Sequence, residues 1–190
     1  MGIDITKEQM MISSHVMIQY LLREYPGKSV YVVGTPSLLD EFRAFKIPLV
    51  QEDPDIVILG FDTTLTYEKI SKACHFIRNG CIYYGINPDL NCPMEGGTFI
   101  PDCGSMAKLV EASVGRYPEF FGKPSRYTLD YIIRETGYRA EEIAIVGDRL
   151  YTDIAVADGS DVMSILVLSG ESTMDDVDKS NVKPDFIVKD

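Results

Sequence analysis

Short apolar runs alternate with helix-period stretches along nearly the whole chain, and no other property of the sequence restricts the fold as much. Residues 30–33, 56–59, 81–84, 143–146, 162–168 and 185–188 have the length and composition of buried strands. Between them lie segments whose apolar residues recur every three or four positions. Strands that alternate with helices pair in parallel, because each crossover helix returns the chain to the same edge of the sheet. The sequence therefore predicts an α/β protein with largely parallel sheets covered by helices. Its 190 residues suffice for one large or two small units.

A first helix starts at Ser13 or Ser14, turns Val16, Met17, Tyr20 and Leu21 inward and stops at Pro26-Gly27. Ahead of it, Thr6-Lys7-Glu8-Gln9 has the spacing of a capping box. Thr35-Pro36 is a cap followed by a proline suited to the first turn, and Leu38, Leu39, Phe42 and Phe45 share one face of the helix it opens. Thr66 opens the next helix, with Ile70, Ala73, Cys74 and Ile77 inward, and Asn79-Gly80 closes it. Residues 86–102, rich in Asn, Pro and Gly, are long for a connection, and such loops are often functional. A helix over 104–114 follows. After Tyr117-Pro118 a second unit begins: a strand ends at Phe120-Phe121, and a helix carries Leu129, Ile132, Ile133 and Thr136 on one face and stops at Gly137.

The net charge of -11 and the acidic pI leave no basic stripe for nucleic acid. They also oppose binding to an anionic membrane, and no apolar run approaches the roughly 20 residues of a membrane span. The N-terminal residues lack the layout of a secretory signal. Cys74, Cys81, Cys92 and Cys103 form no C-x-x-C pair, and His15 and His75 are the only histidines, so no zinc site is expected. Reduced thiols fit a cytoplasmic protein. The expected partners therefore include neither nucleic acid nor membrane.

Two stretches carry chemistry. In the first, residues 143–146 run as a strand into Gly147, where the backbone turns freely. Asp148 follows at once and Asp153 lies five residues on, with a helix-like pattern beginning at Ile154. Ligands of open α/β sheets sit at the carboxyl ends of strands, and two carboxylates on such a rim suit a hard cation such as Mg²⁺. The same residues also fit plain helix chemistry, with Asp148 as cap and Asp153 favouring the dipole. In the second stretch, Gly122-Lys123-Pro124-Ser125, Pro124 suits the first turn of the following helix and Lys123 stands at a sheet edge. There it is either a charge that neutralises phosphate or a solvated lysine, although a cation beside the positive end of a helix is mildly unfavourable.

Taken together, strand-Gly-Lys-Pro-Ser-helix followed by strand-Gly-Asp-x-x-x-x-Asp-helix resembles the second half of a haloacid dehalogenase-superfamily phosphatase. Gly159, the run from Ser164 to Gly170, Asp175-Asp176 and Gly85-Ile86-Asn87-Pro88-Asp89 narrow the resemblance to the class IIA branch of NagD-like and 4-nitrophenylphosphatase-like enzymes. The resemblance implies a Rossmann-like core, residues 1–29 and 119–190, interrupted by an α/β cap, residues 30–118. It implies Mg²⁺-dependent hydrolysis of phosphate monoesters through an aspartyl-phosphate. Lys123 matches the family's catalytic, phosphate-neutralising lysine, Asp148 its metal-binding aspartate and Asp153 the supporting acid. Asn87, with Asp89 and Glu95-Gly96-Gly97, belongs to the part of the cap that shapes substrate choice, and the same residues are ordinary turn formers. Arg149 either meets substrate or stays solvated. The substrate implied is a small phosphorylated metabolite, a sugar or nucleotide phosphate, and a homo-oligomer is compatible.

The chain departs from the family at its most consequential motif. No Asp-x-Asp-Gly-Thr occurs in it, and the second family motif is not found either. The nearest imitation, Gly60-Phe61-Asp62-Thr63-Thr64, puts glycine where the nucleophile belongs, so Asp62 is expected to start a turn or cap a helix. The expectation is a core incomplete at its N-terminus: a truncated or inactive form of a phosphatase. The alternative is a non-catalytic binding module derived from one. A receiver domain phosphorylated on Asp148 leaves the cap unexplained.

Overall fold

A computed structural model describes residues 4–6 and 9–190, so the expected capping box, which includes Lys7 and Glu8, lies partly outside the described residues. The chain divides into two compact units, Met1–Gly122 and Lys123–Asp190.

The first unit is built on a parallel sheet of β1 (Val30–Val33), β2 (Ile56–Leu59), β3 (Ile82–Gly85) and β6 (Glu119–Phe120), in the order β1-β2-β3-β6. Helices α1 (Ser13–Glu24), α2 (Pro36–Ala44), α3 (Tyr67–Arg78) and α4 (Cys103–Val114) complete it. All residues of β1 and β2 are buried, as parallel strands covered on both faces must be. One face, with Tyr31, Val33, Val57, Leu59 and Tyr83, packs on α3 and α4 through Ile70, Ala73, Cys74, Ile77, Met106, Ala107 and Val110. Tyr84 points the other way, as strand alternation requires, and meets Tyr20 of α1 and Phe121 at ring separations of 5.9 and 5.2 Å.

Thr35 and Thr66 cap α2 and α3 as the sequence predicts, accepting from the N–H groups of Leu38 and Lys69. Phe45 is a correction: it follows the last turn of α2 and is 38% exposed, while Phe42 alone carries the buried face. The connection 86–102 is also more ordered than its composition suggests. It folds as an antiparallel hairpin of β4 (Asn91–Pro93) and β5 (Phe99–Pro101), closed through Gly96 and Gly97, both at positive φ. The strand expected to open the second unit instead pairs with β3, Gly85 beside Phe120, as the fourth strand of the first sheet. Residues 119–122 and helix α1 thus belong to the first unit by contact, α1 through Tyr20, which lies 4.7 Å from the ring of Phe121.

The second unit has a parallel sheet of β7 (Ala144–Gly147), β8 (Met163–Val167) and β9 (Phe186–Val188), in that order. Its face bearing Leu166 packs on Leu150, Ile154 and Val177, the last from α6 (Met174–Lys179). Beside it, Leu129 and Ile133 of α5 (Arg126–Thr136) pack with Ala157, Val162 and Ile145. The opposite face is open. Val146 is 61% exposed and Phe186 55%, so β7 is not the fully buried strand that its apolar run predicts. The reason is the uncovered face: Met163 of the central strand β8, on the same side of the sheet as Val146, is 44% exposed too.

Candidate active site

Three sequence-predicted site residues, Lys123, Asp148 and Asp153, lie in the second unit at the carboxyl end of β7. Gly147 ends that strand, and a Cβ there would come within 2.2 Å of the Cβ of Asp153, so glycine is what lets the Asp153 carboxylate fold back against the strand end. The helix expected after Asp148 is instead a π-turn over Leu150–Ile154, with the Ile154 N–H donating to the Arg149 carbonyl at 3.1 Å. Such five-residue bonds are rare and recur at functional sites. Asp153 sits inside this turn, 7% exposed. Its Oδ2 accepts from the Arg149 N–H at 3.2 Å and its Oδ1 pairs with the Lys123 ammonium.

Lys123 is therefore not a cation left against a helix dipole. Helix α5 begins only at Arg126, with Ser125 as its cap, and Pro124 precedes the cap rather than filling the first turn as expected. The ammonium is compensated by Asp153. The lysine side chain is half exposed and the aspartate almost buried, which places one end of the pair within reach of a ligand.

Asp148 does not cap the turn that follows it: Arg149 holds the cap position, without a side-chain cap bond. The Asp148 carboxylate turns instead to the loop after β8, where Oδ2 accepts from the Glu171 N–H at 2.9 Å. The Ser172 N–H donates to the Asp148 carbonyl at 3.0 Å, and Ser172 Oγ accepts from the Leu150 N–H at 3.1 Å. A Cβ on Gly170 would lie 2.1 Å from Asp148 Oδ2, so the loop approaches this closely only with glycine there. The Glu171 carboxylate meets the Arg149 guanidinium at 2.7 Å and accepts from the Tyr151 hydroxyl at 2.6 Å. Arg149 is thus paired rather than simply solvated. Glu171 and Ser172 carry no sequence signal of their own. Their place after β8, beside the loop after β7 on one parallel rim, is the cue that points to them.

Among the described residues no three His, Cys, Asp or Glu side chains gather as a metal cage. Mg²⁺ asks for less: one or two carboxylates, with waters and phosphate oxygens completing its shell. The hydrogen bond from Glu171 engages Oδ2 of Asp148, and Oδ1 could take a cation. Asp153, already bonded to Lys123 and Arg149, is placed to support rather than to ligate. The donor set fits a hard divalent ion held mainly by Asp148.

Asn87 belongs to the first unit, just past the carboxyl end of β3. Its amide donates to Asp89 at 3.2 Å and to Asp102 at 3.1 Å, and Asp102 caps α4. Glu95, Gly96 and Gly97 form a single turn at the tip of the β4–β5 hairpin. Three residues past β2 of the same sheet, Asp62 is fully buried. It accepts from the Thr64 N–H at 2.8 Å, the Thr64 hydroxyl at 2.7 Å and Lys69 at 2.7 Å. Burial works to raise its carboxyl, but the bonds from Lys69 and Thr64 outweigh that and leave it lowered. As the sequence predicts, Asp62 starts a turn. Cys103, fully buried against the Leu59 carbonyl, is held as a thiol, with burial pushing it up to about 12.

Residues 1–48 match a family described as haloacid dehalogenase-like hydrolase, and residues 120–190 a HAD-hydrolase-like family. The chain is 33% identical over 186 residues to the ribonucleotide monophosphatase NagD of Escherichia coli K12, covering 98% of this chain and 72% of that protein. A crystal structure of 4-nitrophenylphosphatase from Thermotoga maritima superposes with a TM-score of 0.94 at 40% identity, covering 100% of this chain and 73% of that one. Glycerol phosphate phosphatase from Mycobacterium tuberculosis, in complex with magnesium, superposes at 0.91 with 29% identity, covering 100% and 58%. The α/β fold with its parallel sheets is that of a haloacid dehalogenase-type hydrolase. The chain belongs to that superfamily, in its class IIA branch of NagD-like phosphatases.

Proposed function

We propose that this chain carries the lysine- and metal-bearing part of a phosphate-monoester hydrolase site, of the kind that works through an aspartyl-phosphate. The observation that carries the reading is the Lys123–Asp153 pair beside Asp148 on one strand end. Lys123 would neutralise phosphoryl oxygens, with Asp153 holding its ammonium in place. Asp148 would hold Mg²⁺, which when bound draws charge from the phosphoryl group and templates the attack. In favour of Mg²⁺ stand the oxygen-only donor set and the magnesium complex of the mycobacterial relative. By descent, residues 1–29 and 119–190 are core and 30–118 an inserted cap. The match over 120–190 falls within this core, whereas the match over 1–48 runs past residue 29 into the proposed cap. Asn87 is proposed as a substrate-binding residue of the cap. The substrate is a small sugar, glycerol or nucleotide phosphate, and the protein works in the cytoplasm, with a homo-oligomer compatible.

The 190 residues contain no Asp-x-Asp-Gly-Thr, and the polypeptide by itself is proposed to be inactive. Assay of the purified chain with 4-nitrophenyl phosphate and Mg²⁺ should give no turnover. Robust hydrolysis that disappears in Asp148→Asn overturns this. A second reading, a non-catalytic binding module, is favoured by the open apolar face: Val146, Ile165 and Phe186 stand side by side across three strands. It predicts partner capture that survives Asp148→Asn.

A further inference from the structure

We infer that Glu171 is a positioning residue for the Asp148 carboxylate, acting as a strap between the loops that follow β7 and β8. Its relevance to catalysis rests on the phosphatase reading; the strap itself does not.

Glu171 is bound at three points, and all three lead to the segment around Asp148. Its N–H donates to Asp148 Oδ2 at 2.9 Å. Its carboxylate takes the Arg149 guanidinium at 2.7 Å on Oε2 and the Tyr151 hydroxyl at 2.6 Å on Oε1. Arg149 and Tyr151 closely follow Asp148 in the chain, so the grip on the side chain fixes where the backbone N–H can point. Charge-assisted bonds of this length are the stronger kind. The pair is also shielded on its arginine side, since the Arg149 side chain is 24% exposed against 45% for Glu171. Gly170 completes the arrangement, because any side chain there would displace Asp148. One oxygen of Asp148 is thereby committed to Glu171, and the rotamer of the carboxylate is fixed before a cation arrives. Preorganisation of a ligand by its neighbours is the usual way a metal carboxylate gains affinity.

Two accounts of Glu171 differ in sign. If it acts only as a negative charge near a cation site, then removing its counter-charge in Arg149→Met strengthens cation binding. If it acts as a strap, the same change loosens Asp148 and weakens binding. The first arm of the test needs no metal: hydrogen exchange of the Glu171 amide in the full chain. Arg149→Met and Glu171→Ala/Tyr151→Phe combinations should speed exchange at position 171 at least tenfold, with Glu171→Gln closer to wild type. The amides of β8 should stay protected. Unchanged exchange at Glu171 in Arg149→Met overturns the proposal. The second arm titrates Mn²⁺, followed by electron paramagnetic resonance of the free ion, with Asp148→Asn as the blank. Arg149→Met should weaken binding about tenfold and Tyr151→Phe about threefold; tighter binding in Arg149→Met overturns the strap. If exchange responds as expected while wild type binds Mn²⁺ no better than Asp148→Asn, the strap stands and the metal reading of the site falls.

Discussion

Replacing Asp62 tests whether a near-copy of the family's catalytic motif has become a structural knot. The carboxylate is completely buried and takes three hydrogen bonds, one of them from the Lys69 ammonium, whose side chain is 29% exposed. Removing one member of a buried pair typically costs about 3–5 kcal/mol. The partial exposure of Lys69 lets water recover some of that, which brings Asp62→Ala to about 3 kcal/mol. Asp62→Asn keeps an oxygen for Thr64 and loses the charge, for about 2 kcal/mol. For a unit of this size that is a fall in melting temperature of about 6–12 °C. The sign with pH follows from the lowered carboxyl of Asp62. A folded-state pKa below the unfolded one gives stability that is present above the ordinary carboxylate range, near 4, and is lost as pH falls through the folded value. The gap between wild type and Asp62→Asn, followed by circular dichroism from pH 7 downward, should therefore narrow only below about pH 4. A loss under about 0.5 kcal/mol at pH 7, or a gap that widens in acid, refutes the reasoning.

Other consequences are checkable in the same way. Gly170→Ala puts a methyl group into the Asp148 carboxylate and should lower stability by about 1–3 kcal/mol in urea melts while weakening Mn²⁺ binding. The Tyr83 hydroxyl is buried and meets no hydrogen-bond partner among the described residues, so Tyr83→Phe should be neutral or stabilise by about 1 kcal/mol. Asp55 is held at about 2, first by the Lys28 side chain and then by Ser29. Its contribution, complete above the usual carboxylate range, should be lost as pH falls toward 2, and Lys28→Met should raise its titration as read by NMR.

Much of this architecture can be read from the residues. The strand runs of the first sheet and the threonine caps of α2 and α3 each have a local signal, because periodicity and capping chemistry act within a few residues. What sequence cannot carry is set by neighbours in space. Val146 reads as a buried strand residue, and only the layering of the helices leaves its face of the sheet uncovered. The run from Ile154 to Ala157 reads as a helix, since no local pattern announces a five-residue hydrogen bond. Glu171 and Ser172 look like ordinary loop residues until β7 and β8 are laid side by side.

The π-turn has an evolutionary side. It holds one residue more than the ordinary turn it replaces, and each residue of a regular helix advances the side chains by about 100°. Deleting Thr152 would restore regular winding, yet it would swing Asp153 around the axis and away from the ammonium it anchors. A lineage can therefore shed this irregularity only by abandoning the lysine with it. Insertions and deletions should be purged between positions 148 and 154.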